Sequence, residues 1–449
     1  MSDSAVAIAR AVRAREVSAV EVLDAHVARI EEHDGRLNAL VLPRLEQARA
    51  EAQAADRGEP RGPLHGVPFT AKDPLPVAGM RSPCGSRLLA DHVNDADCEP
   101  VRRLRAAGAI LVGKTNVSEF CMHWDSTNVL FGSTHNPHDV SRTPGGSSGG
   151  EAAALASGMT ALGLGSDLGG SIRNPAHFTG LFGLRPGRGT VPLAAHHPLP
   201  LSAGMRLAMS VGPLARSAAD LELALTVLAP AARSADPPGR VAVFEEDGLQ
   251  PVSRTCREAV RRAAAALEDA GHAIVDERPP GQAEARAAFD AIFNDELAVA
   301  LPAFVAGREA ALSPYAAEAM EAMRGHEPSF ERYVDAFHRI AVLEHAAAEW
   351  MARHPVALCP VAPDVAPPVG EGSWPPIDGE PARPGGKLSL CTYANALGLP
   401  AVAVPVMRSP EGLPVGVQLI GRRGSERTLL ALAGELEAAL GGWLAPGAG

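Results

Sequence analysis

The sequence contains almost no lysine. Only three of its 449 residues are lysine (Lys72, Lys114 and Lys387), although lysine and arginine together number 41. A chain that supplies nearly every cation as arginine retains lysine where a guanidinium cannot take its place, because the two groups differ in shape and in how readily they lose a proton. Each of the three lysines is therefore a candidate for a specific role.

Positive charge is also scarce relative to negative charge. The chain has 52 Asp and Glu residues and a formal net charge of −11, and its longest basic run is RRLR at residues 102–105. Nucleic acids and anionic membranes are bound by clustered cations, so the composition argues against both as partners. The sequence has no apolar run of 18 residues, and its arginine-containing N-terminus has no apolar signal-peptide core. We expect a cytoplasmic protein.

Metal-ligand and nucleotide-binding motifs are missing. The six cysteines are scattered without a CxxC pair, and no paired histidines have zinc-ligand spacing. A chain of this length predicts free, buried thiols in a reducing compartment. No lysine follows the glycine-rich segments as a Walker A motif requires, and GLGSDLGG has the wrong spacing for GxGxxG. The sequence therefore predicts no metal and no organic cofactor.

Strand and helix patterns alternate along most of the chain. GVPFTA (66–71), AILVG (109–113) and TALGLGSD (160–167) have strand character, and helical segments lie between them. Ser18 and Glu21 have the spacing of a capping box at the start of a helix. Residues 280–350 show only helical patterns, and residues 359–386 are a loop rich in proline and glycine. The alternation predicts an α/β fold with a sheet covered by helices on both faces.

Two glycine-rich segments each present serine, PGGSSGG at residues 144–150 and DLGGSIR at residues 167–173. Ser148 satisfies the G-x-S-x-G pattern of a nucleophile elbow, but loop residues precede it where that motif requires an apolar strand. His177 follows Ser171 by six residues and invites a serine–histidine interpretation. The remaining interpretation is a serine nucleophile whose proton is removed by a lysine from elsewhere in the chain.

Lys72 is the lysine that fits such a role. It follows the apolar segment GVPFTA directly. Burial at a strand end would lower its pKa and make a neutral, basic amine available. A lysine exposed at the end of a strand is the alternative.

The block TPGGSSGGEAAALASGMTALGLGSDLGGSIRNPAHFTGLFGLRPGRG (143–189) closely resembles the signature segment of the amidase signature family. GVPFTAKD, GAILVGKTNVSEF, STNVLFGSTHNP, NALGLPAVAVPV and LPVGVQLIGR resemble supporting segments of the same family, so the resemblance spans roughly residues 18–235 and 390–440. It implies a single amidase domain over residues 1–449 with a central mixed, twisted sheet. Within it we expect N-terminal helices (1–60), the signature core (61–235), an α/β segment (236–279), a variable helical and loop region around the substrate (280–386), and the last part of the core (387–440).

The resemblance also implies the catalytic residues. Carried over position by position, Ser171 is the nucleophile, Ser147 is the bridging serine after a cis peptide bond with Gly146, and Lys72 is the base. Backbone N–H groups of an oxyanion hole would come from Leu168, Gly169, Gly170 and Ser171. Ser148, Asp167 and Arg173 match positions that support the triad by hydrogen bonds. Lys114 matches a structural position, and the family requires no histidine in place of His177.

The substrate is less closely defined. The segment CMHWDSTN (121–128) matches a family segment that passes the acyl site, which makes Cys121, Met122, His123 and Trp124 candidate pocket residues. No base is placed to make Cys121 a nucleophile. The helical region 280–350 and the loop that carries Trp374 are expected to complete the pocket.

Members of the family hydrolyse amides, anilides, carbamates (urethanes) and in some cases esters, and we expect a small molecule of this kind as the substrate of a monomer or homodimer. Two alternatives stay open. The chain could be the glutaminase component of an amidotransferase, because the A subunit of glutamyl-tRNA amidotransferase shares the GSD–GGSIR text. It could also be a binding protein on an inactive amidase scaffold. Fatty acid amide hydrolase shares GGSSGGE but has an N-terminal membrane segment.

Overall fold

The computed structural model describes residues 4–193, 196–198, 201–232, 238–371, 374–383 and 388–447. The strands in these ranges are β1 (Leu40–Pro43), β2 (Pro68–Lys72), β3 (Ile110–Thr115), β4 (Thr127–Asn128), β5 (Gly132–Ser133), β6 (Leu162–Asp167), β7 (Phe182–Arg185), β8 (Ser210–Ala215), β9 (Arg240–Val243), β10 (Ala273–Asp276), β11 (Val356–Pro360), β12 (Ala401–Arg408) and β13 (Pro414–Gly421).

The helices are α1 (Ala5–Arg13), α2 (Ala19–Leu37), α3 (Leu45–Arg57), α4 (Glu99–Ala106), α5 (Gly149–Ala156), α6 (Arg173–Thr179), α7 (Ala203–Ala208), α8 (Ala218–Leu228), α9 (Arg254–Asp269), α10 (Gln282–Val305), α11 (Pro314–Arg324), α12 (Phe330–Arg353), α13 (Ser389–Ala396) and α14 (Glu426–Leu440). Within the described ranges, none of these helices is long and apolar enough to cross a membrane.

Eleven of the strands form one mixed sheet in the order β1-β3-β2-β6-β8-β7-β12-β13-β11-β9-β10, and β4 pairs only with β5. β2 is parallel to both β3 and β6, whereas β8, β7, β12 and β13 follow in antiparallel pairs. The predicted α/β fold, with a central mixed sheet flanked by helices, is therefore confirmed. The boundaries predicted for its segments stay a prediction.

The central strands begin in apolar and small residues and have a charged residue at or near their ends, Lys72 in β2, Lys114 in β3 and Asp167 in β6. All five residues of β2, all six of β3 and all six of β6 are buried. Burial of every residue is typical of parallel strands with helices on both faces, because neither side of the strand meets water. The segments 66–71, 109–113 and 160–167 thus contain strands as predicted, with shifts of at most two residues at their ends.

Two helical predictions are confirmed, one at the start of α2 and one over residues 280–350. Ser18 and Glu21 form the predicted capping box, with reciprocal hydrogen bonds at the start of α2. Residues 280–350 contain α10, α11 and most of α12 without a strand. The segment predicted as a loop from residue 359 begins inside β11, because Val356–Pro360 is a fully buried strand of the main sheet.

The N-terminal region contains a strand in addition to its predicted helices. β1 follows Asn38, which ends α2 in the left-handed conformation with φ 53°, and pairs antiparallel with β3 at the sheet edge. Only the first of its four residues is buried. A strand this short, at an edge and largely exposed, has no alternating pattern long enough to be recognised from sequence.

Candidate active site

The carboxyl ends of two parallel strands bring the site together. β2 and β6 pair in parallel, with Ala71 opposite Leu164. Parallel strands end at the same edge of a sheet, so Lys72, the last residue of β2, lies beside Ser166 near the end of β6. The side chain of Lys72 is completely buried.

The ammonium group of Lys72 is surrounded by oxygen atoms of two serines. Its Nζ lies 2.8 Å from Ser147 Oγ, 2.9 Å from Ser166 Oγ and 3.3 Å from the Ser166 carbonyl oxygen. Burial lowers the pKa of Lys72, and this effect outweighs Cys121 and Asp167, which act to raise it. The result is an amine that can lose its proton more easily than an exposed lysine.

Ser147 lies at the start of α5, in the first glycine-rich segment. The peptide bond between Gly146 and Ser147 is cis, as the resemblance implies. The glycines allow this segment to contact other backbone closely. A Cβ atom on Gly150 would lie 2.5 Å from the backbone nitrogen of Asn116, closer than any side chain can approach. The first glycine cluster is thus a packing requirement around Ser147.

Ser171 lies between β6 and α6, in the second glycine-rich segment. Its relative exposure is 8%, against 1% for Ser147 and 0% for Lys72. Ser147 and Ser171 line the same cavity. Of the three residues, Ser171 is therefore the one that a molecule in the cavity meets most directly.

The turn that carries Ser171 is held by the carboxylate of Asp167. Asp167 accepts hydrogen bonds from Gly170 N (2.7 Å) and Ile172 N (3.2 Å), and from Arg173 Nε and Nη2 (both 3.0 Å). Burial acts to raise the pKa of Asp167, but the charge and hydrogen bonds of Arg173 hold it well below its usual range. Asp167 and Arg173 are completely buried and form an ion pair.

Gly170 has a different environment from the one its predicted role requires. Its N–H donates to Asp167, so it is not directed at an oxyanion in this arrangement. Its φ of 113° is rarely adopted by other residues, and a Cβ atom would lie 2.9 Å from the Cβ and Sγ atoms of Cys391. Of the four predicted oxyanion donors, Leu168, Gly169 and Ser171 keep that role as a prediction.

The C-terminal part of the chain completes this network with residues that the sequence did not single out. Arg173 Nη1 donates to Gln418 Oε1 at 2.9 Å, and Arg173 Nη2 donates to Asn395 Oδ1 at 2.5 Å. Asn395 Nδ2 also donates to Asp167 Oδ1 at 2.9 Å. These partners lie more than 220 residues from Arg173. They stand in the segments NALGLPAVAVPV and LPVGVQLIGR, which resemble the family, but nothing local marks either residue as a partner of Arg173.

Ser148 contributes by joining the two glycine-rich segments. Its Oγ donates to the Ser166 carbonyl at 3.2 Å, and its N–H donates to the Ser171 carbonyl at 3.3 Å. Ser148 is fully buried, a setting that suits support of the loops better than attack on a substrate.

The other singled-out residues lie apart from the serines. The ring nitrogens of His177 face the backbone of Gly416 and Asp364, and burial lowers its pKa to about 4. Lys114 Nζ donates to the Arg81 carbonyl at 2.7 Å and lies 3.6 Å from Asp73. Lys387 falls outside the described residues.

The four candidate pocket residues divide into two pairs. Cys121 and Met122 line the cavity with Ser147 and Ser171. The His123 ring packs on Tyr315 with a centroid distance of 4.3 Å, and the Trp124 ring packs on Trp374 at 4.7 Å. Trp124 and Trp374 thus belong to a small apolar cluster, and neither is among the described residues that line the cavity. A role of His123 and Trp124 in substrate binding stays a prediction.

The backbone at Cys121 is in an unusual conformation. Phe120 and Cys121 have φ angles of 53° and 59°, in the left-handed region that non-glycine residues seldom adopt. Such conformations persist where the surrounding structure requires them, and they cluster at functional sites. Burial raises the pKa of the Cys121 thiol, although Lys72 and Ser147 act to lower it, so the thiol is protonated and is not an activated nucleophile.

The rest of the cavity lining is mostly apolar. The helical region 280–350 contributes Phe293 to the described lining, as expected, whereas Trp374 packs on Trp124 and does not line the cavity. Its apolar side chains include Phe120, Met122, Leu168, Leu201, Met205, Met209 and Phe293, of which Met205 lies on α7 and Phe293 on α10. His196 and His197 also line it, and burial lowers their pKa values to about 3 and about 4. Of the described residues that line the cavity, none therefore carries a formal charge at neutral pH.

The described residues hold no group of three or more His, Cys, Asp or Glu side chains that could bind a metal ion. The arrangement of Lys72, Ser147 and Ser171 around an apolar cavity offers the elements of acyl transfer: a nucleophile, a base and nearby backbone N–H groups. Comparison with known proteins decides the family. The family model described as Amidase matches residues 21–430.

The chain belongs to the amidase family. This amidase is 37% identical over 468 residues to AmiB2 of Mycobacterium tuberculosis, a protein whose own name marks it as a provisional amidase, with 97% of this chain and 96% of the relative covered. It is 34% identical to the A subunit of the glutamyl-tRNA(Gln) amidotransferase of Moorella thermoacetica, with 93% of each chain covered. The family resemblance predicted from the signature segments is confirmed.

Solved structures agree with this assignment. The amidase superimposes on a crystal structure of an amidase with a TM-score of 0.88 and 31% identity, covering 97% of this chain and 100% of the other. It superimposes on a bacterial aryl acylamidase of the amidase signature family with a TM-score of 0.84 and 26% identity, covering 97% and 96%. The amidase is therefore a hydrolase of carbon–nitrogen bonds by family.

Proposed function

We propose that the amidase hydrolyses small amides through an acyl-enzyme on Ser171, with Ser147 as proton relay and Lys72 as base. The observation that carries this proposal is the 2.8 Å distance between Lys72 Nζ and Ser147 Oγ. Both groups are buried, and Ser147 shares a cavity with Ser171. A lysine deprived of water next to a serine hydroxyl is what a base of this kind requires.

The proposed reaction moves one proton along this chain of groups. Neutral Lys72 takes the proton of Ser147, and Ser147 takes the proton of Ser171 as its Oγ attacks the substrate carbonyl carbon. Ser147 then returns a proton to the leaving nitrogen, which would otherwise depart as a poor anionic leaving group. Water hydrolyses the acyl-enzyme by the same relay in reverse, which restores Ser171.

The negative charge of the tetrahedral intermediate requires fixed N–H donors. We assign this role to the backbone N–H groups of Leu168, Gly169 and Ser171, in the turn that Asp167 and Arg173 hold in place. Removing one such donor from an enzyme costs roughly 3–4 kcal/mol of transition-state stabilisation. The buried ion pair thus serves the reaction by keeping the donors oriented.

The cavity supports uncharged substrates with an apolar group near the reacting carbonyl. Its described lining is apolar and carries no formal charge at neutral pH. Methionine side chains adapt to differently shaped ligands. Aryl amides, anilides, carbamates and esters fit this description, and the similarity to an aryl acylamidase supports the first of these. We propose that substrates are linear amides or carbamates rather than internal peptide bonds, and that the protein works in the cytoplasm as a monomer or homodimer.

A second candidate function is the glutaminase step of an amidotransferase complex. It is favoured by the 34% identity to the A subunit of a glutamyl-tRNA(Gln) amidotransferase over 93% of both chains. Free glutamine carries an ammonium and a carboxylate, and charged groups are costly to bury without partners of opposite sign. The uncharged lining therefore favours the first candidate. The buried Lys72–Ser147 contact also argues against a binding protein on an inactive scaffold.

The test is turnover of a panel of chromogenic anilides, carbamates, esters and primary amides, with glutamine included. We expect hydrolysis of at least one uncharged aryl substrate by the wild-type protein and none by the Ser171→Ala variant. Acylated Ser171 should be detectable by intact-mass measurement after rapid acid quenching.

Ser148→Ala is the matched control, because it removes a neighbouring serine hydroxyl that lies outside the cavity lining. We expect this variant to retain measurable turnover, with a smaller loss than Ser171→Ala. Activity that survives in Ser171→Ala and disappears in Ser148→Ala would show that the nucleophile is misassigned. Hydrolysis of glutamine alone would favour the amidotransferase role.

A further inference from the structure

Ser166 connects Lys72 to a histidine from a different part of the chain. Its Oγ lies 2.9 Å from Lys72 Nζ and 2.9 Å from Nε2 of His196. His196 is buried and lies 30 residues after Ser166, in the segment between β7 and α7. The four side chains of His196, Ser166, Lys72 and Ser147 thus form one continuous hydrogen-bonded chain.

The direction of these hydrogen bonds decides whether Lys72 can act as a base. A neutral lysine amine has two N–H donors and one lone pair. The Ser166 carbonyl can only accept, so it takes one N–H. If Ser166 Oγ accepts the other, the lone pair is left for the hydroxyl proton of Ser147. If the Ser166 hydroxyl instead donates to Nζ, the lone pair is occupied and the base is blocked.

His196 has the properties needed to select the productive direction. Burial lowers its pKa to about 3, and the positive charge of Lys72 acts in the same direction, so the imidazole is neutral. Nδ1 of His196 is buried and makes no hydrogen bond with the described residues, so the direction of the Ser166–His196 hydrogen bond depends on the tautomer. With its proton on Nδ1, the neutral imidazole presents Nε2 as an acceptor. An acceptor at this position draws the Ser166 hydroxyl proton away from Lys72.

We propose that His196 is a positioning residue that accepts the Ser166 hydroxyl at Nε2 and thereby directs the lone pair of Lys72 at Ser147. This inference rests on the proposed function of Lys72 as base. The proposed role explains why an uncharged acceptor lies next to the Ser166 hydroxyl. A carboxylate there would favour the charged form of the lysine and oppose loss of its proton.

The test uses a fluorophosphonate probe, so that no natural substrate is needed. Ser171 Oγ forms a bond to phosphorus, fluoride leaves, and the serine proton passes to the relay. The rate constant of labelling is followed by intact mass, with peptide mapping to Ser171. We compare wild type, His196→Leu, Ser166→Ala and the double variant, with His26→Leu as a buried histidine control on α2, far along the chain.

His196→Leu should slow labelling about tenfold, a coupling of the size that contacting residues show. In the Ser166→Ala background the same substitution should have no further effect, because the hydroxyl through which His196 acts is gone. His196→Gln, which retains an acceptor, should restore most of the wild-type rate. His26→Leu should label at the wild-type rate.

Equal slowing by His196→Leu in both backgrounds would overturn the proposal, as would equal rates for the Gln and Leu variants. Thermal unfolding is measured for each variant, and His196→Met, a weak acceptor of similar length, replaces His196→Leu if that variant does not fold. Wild-type protein that is not labelled at Ser171 would refute the proposed function itself. Labelled wild type with an unchanged His196→Leu rate would refute only the role of His196.

Discussion

Two buried lysines of this protein differ in what surrounds their ammonium groups. Lys114 lies 3.6 Å from the carboxylate of Asp73 and donates to the Arg81 carbonyl. Lys72 instead contacts uncharged groups, namely the hydroxyls of Ser147 and Ser166, the Ser166 carbonyl and the protonated thiol of Cys121. Burial lowers the pKa of both lysines. At Lys114 the largest opposing influence is the negative charge of Asp73, which acts to raise the pKa. The contrast suits Lys114 to a structural role and Lys72 to proton transfer.

Activity should therefore rise with pH. Only neutral Lys72 accepts a proton, and its lowered pKa places the rise of kcat/KM below the ordinary titration range of lysine. We expect log(kcat/KM) to rise with pH with a slope of one and to reach an optimum above neutral pH, measured on any substrate of the panel. The Lys72→Arg variant, always charged, should lose about 10²–10⁴-fold in kcat. An optimum at acidic pH, with no rise of kcat/KM above neutral pH, would contradict the role of Lys72.

Removing the Asp167 carboxylate should be costly because its partner is equally buried. Asp167→Asn leaves the charge of Arg173 without a counter-ion, and breaking such a pair costs about 3–5 kcal/mol. We expect that loss in the free energy of unfolding in urea, together with loss of turnover. Asp335→Asn is the matched control, since its pair with Arg339 is exposed and is worth about 0–1 kcal/mol. Comparable losses in both variants would contradict this account.

At the level of single residues, the sequence analysis identified site residues in the segments that resemble the amidase signature family. Lys72, Ser147 and Ser171 stand in the segments that the resemblance singled out, and the structure brings Lys72 to Ser147 and both serines to one cavity. Asn395 and Gln418 also stand in such segments, but their roles were missed because each contacts Arg173 across more than 220 residues. His196 lies outside the quoted segments and was missed because it contacts Ser166, 30 residues earlier. The assignment of chemical roles stays a prediction until the variants are measured.

At the level of helices and strands, fully buried strands were easier to predict from the sequence than exposed ones. Strands with every residue buried, such as β2 and β6, produce continuous apolar segments that are recognisable in sequence. The capping box of α2 is local and was equally recognisable. β1 was missed because four residues at a sheet edge carry too little pattern. The turn between β6 and α6 combines local contacts of Asp167 with contacts of Arg173 to the distant residues Asn395 and Gln418, which no local pattern encodes.

That turn supplies a prediction with a matched control. Gly170→Ala places a Cβ atom 2.9 Å from Cys391 at a φ of 113°, whereas a Cβ atom on Gly169 meets no atom within 4 Å. We expect Gly170→Ala to displace the turn and lower kcat at least about tenfold, since small misplacement of catalytic groups is costly. Gly169→Ala should cause a clearly smaller loss. Equal effects in a side-by-side turnover assay would contradict the steric argument.

For the whole molecule, acid should weaken the fold before the carboxylates titrate. Burial lowers the pKa of His177 to about 4 and of His196 to about 3. Free histidine titrates near pH 6.5, so between about pH 6.5 and 4 the unfolded chain binds protons that the folded chain does not. The free energy of unfolding therefore falls as pH falls through this window.

Burial also lowers the pKa values of His138 and His197 to about 4. Each of the four histidines should lower the free energy of unfolding by about 1–2 kcal/mol between pH 7 and pH 5. Urea unfolding at the two pH values measures this difference. His177→Gln removes one of these four histidines and should reduce the pH-dependent fall by about a quarter, whereas His345→Gln, at an exposed position, should leave it as in the wild type. A fall that does not change in His177→Gln would show that other groups dominate.

The order of the strands has a consequence for how this protein is made. The last two strands in sequence, β12 and β13, insert between β7 and β11 in the interior of the sheet, and Gln418 of β13 binds Arg173 next to the serines. A ribosome adds roughly 5–20 residues per second from the N-terminus, so the serine segments leave it long before these strands exist. A nascent chain that lacks β12 and β13 therefore presents Ser147 and Ser171 without the contact between Gln418 and Arg173. We expect such a chain to show no turnover until these two strands have joined the sheet.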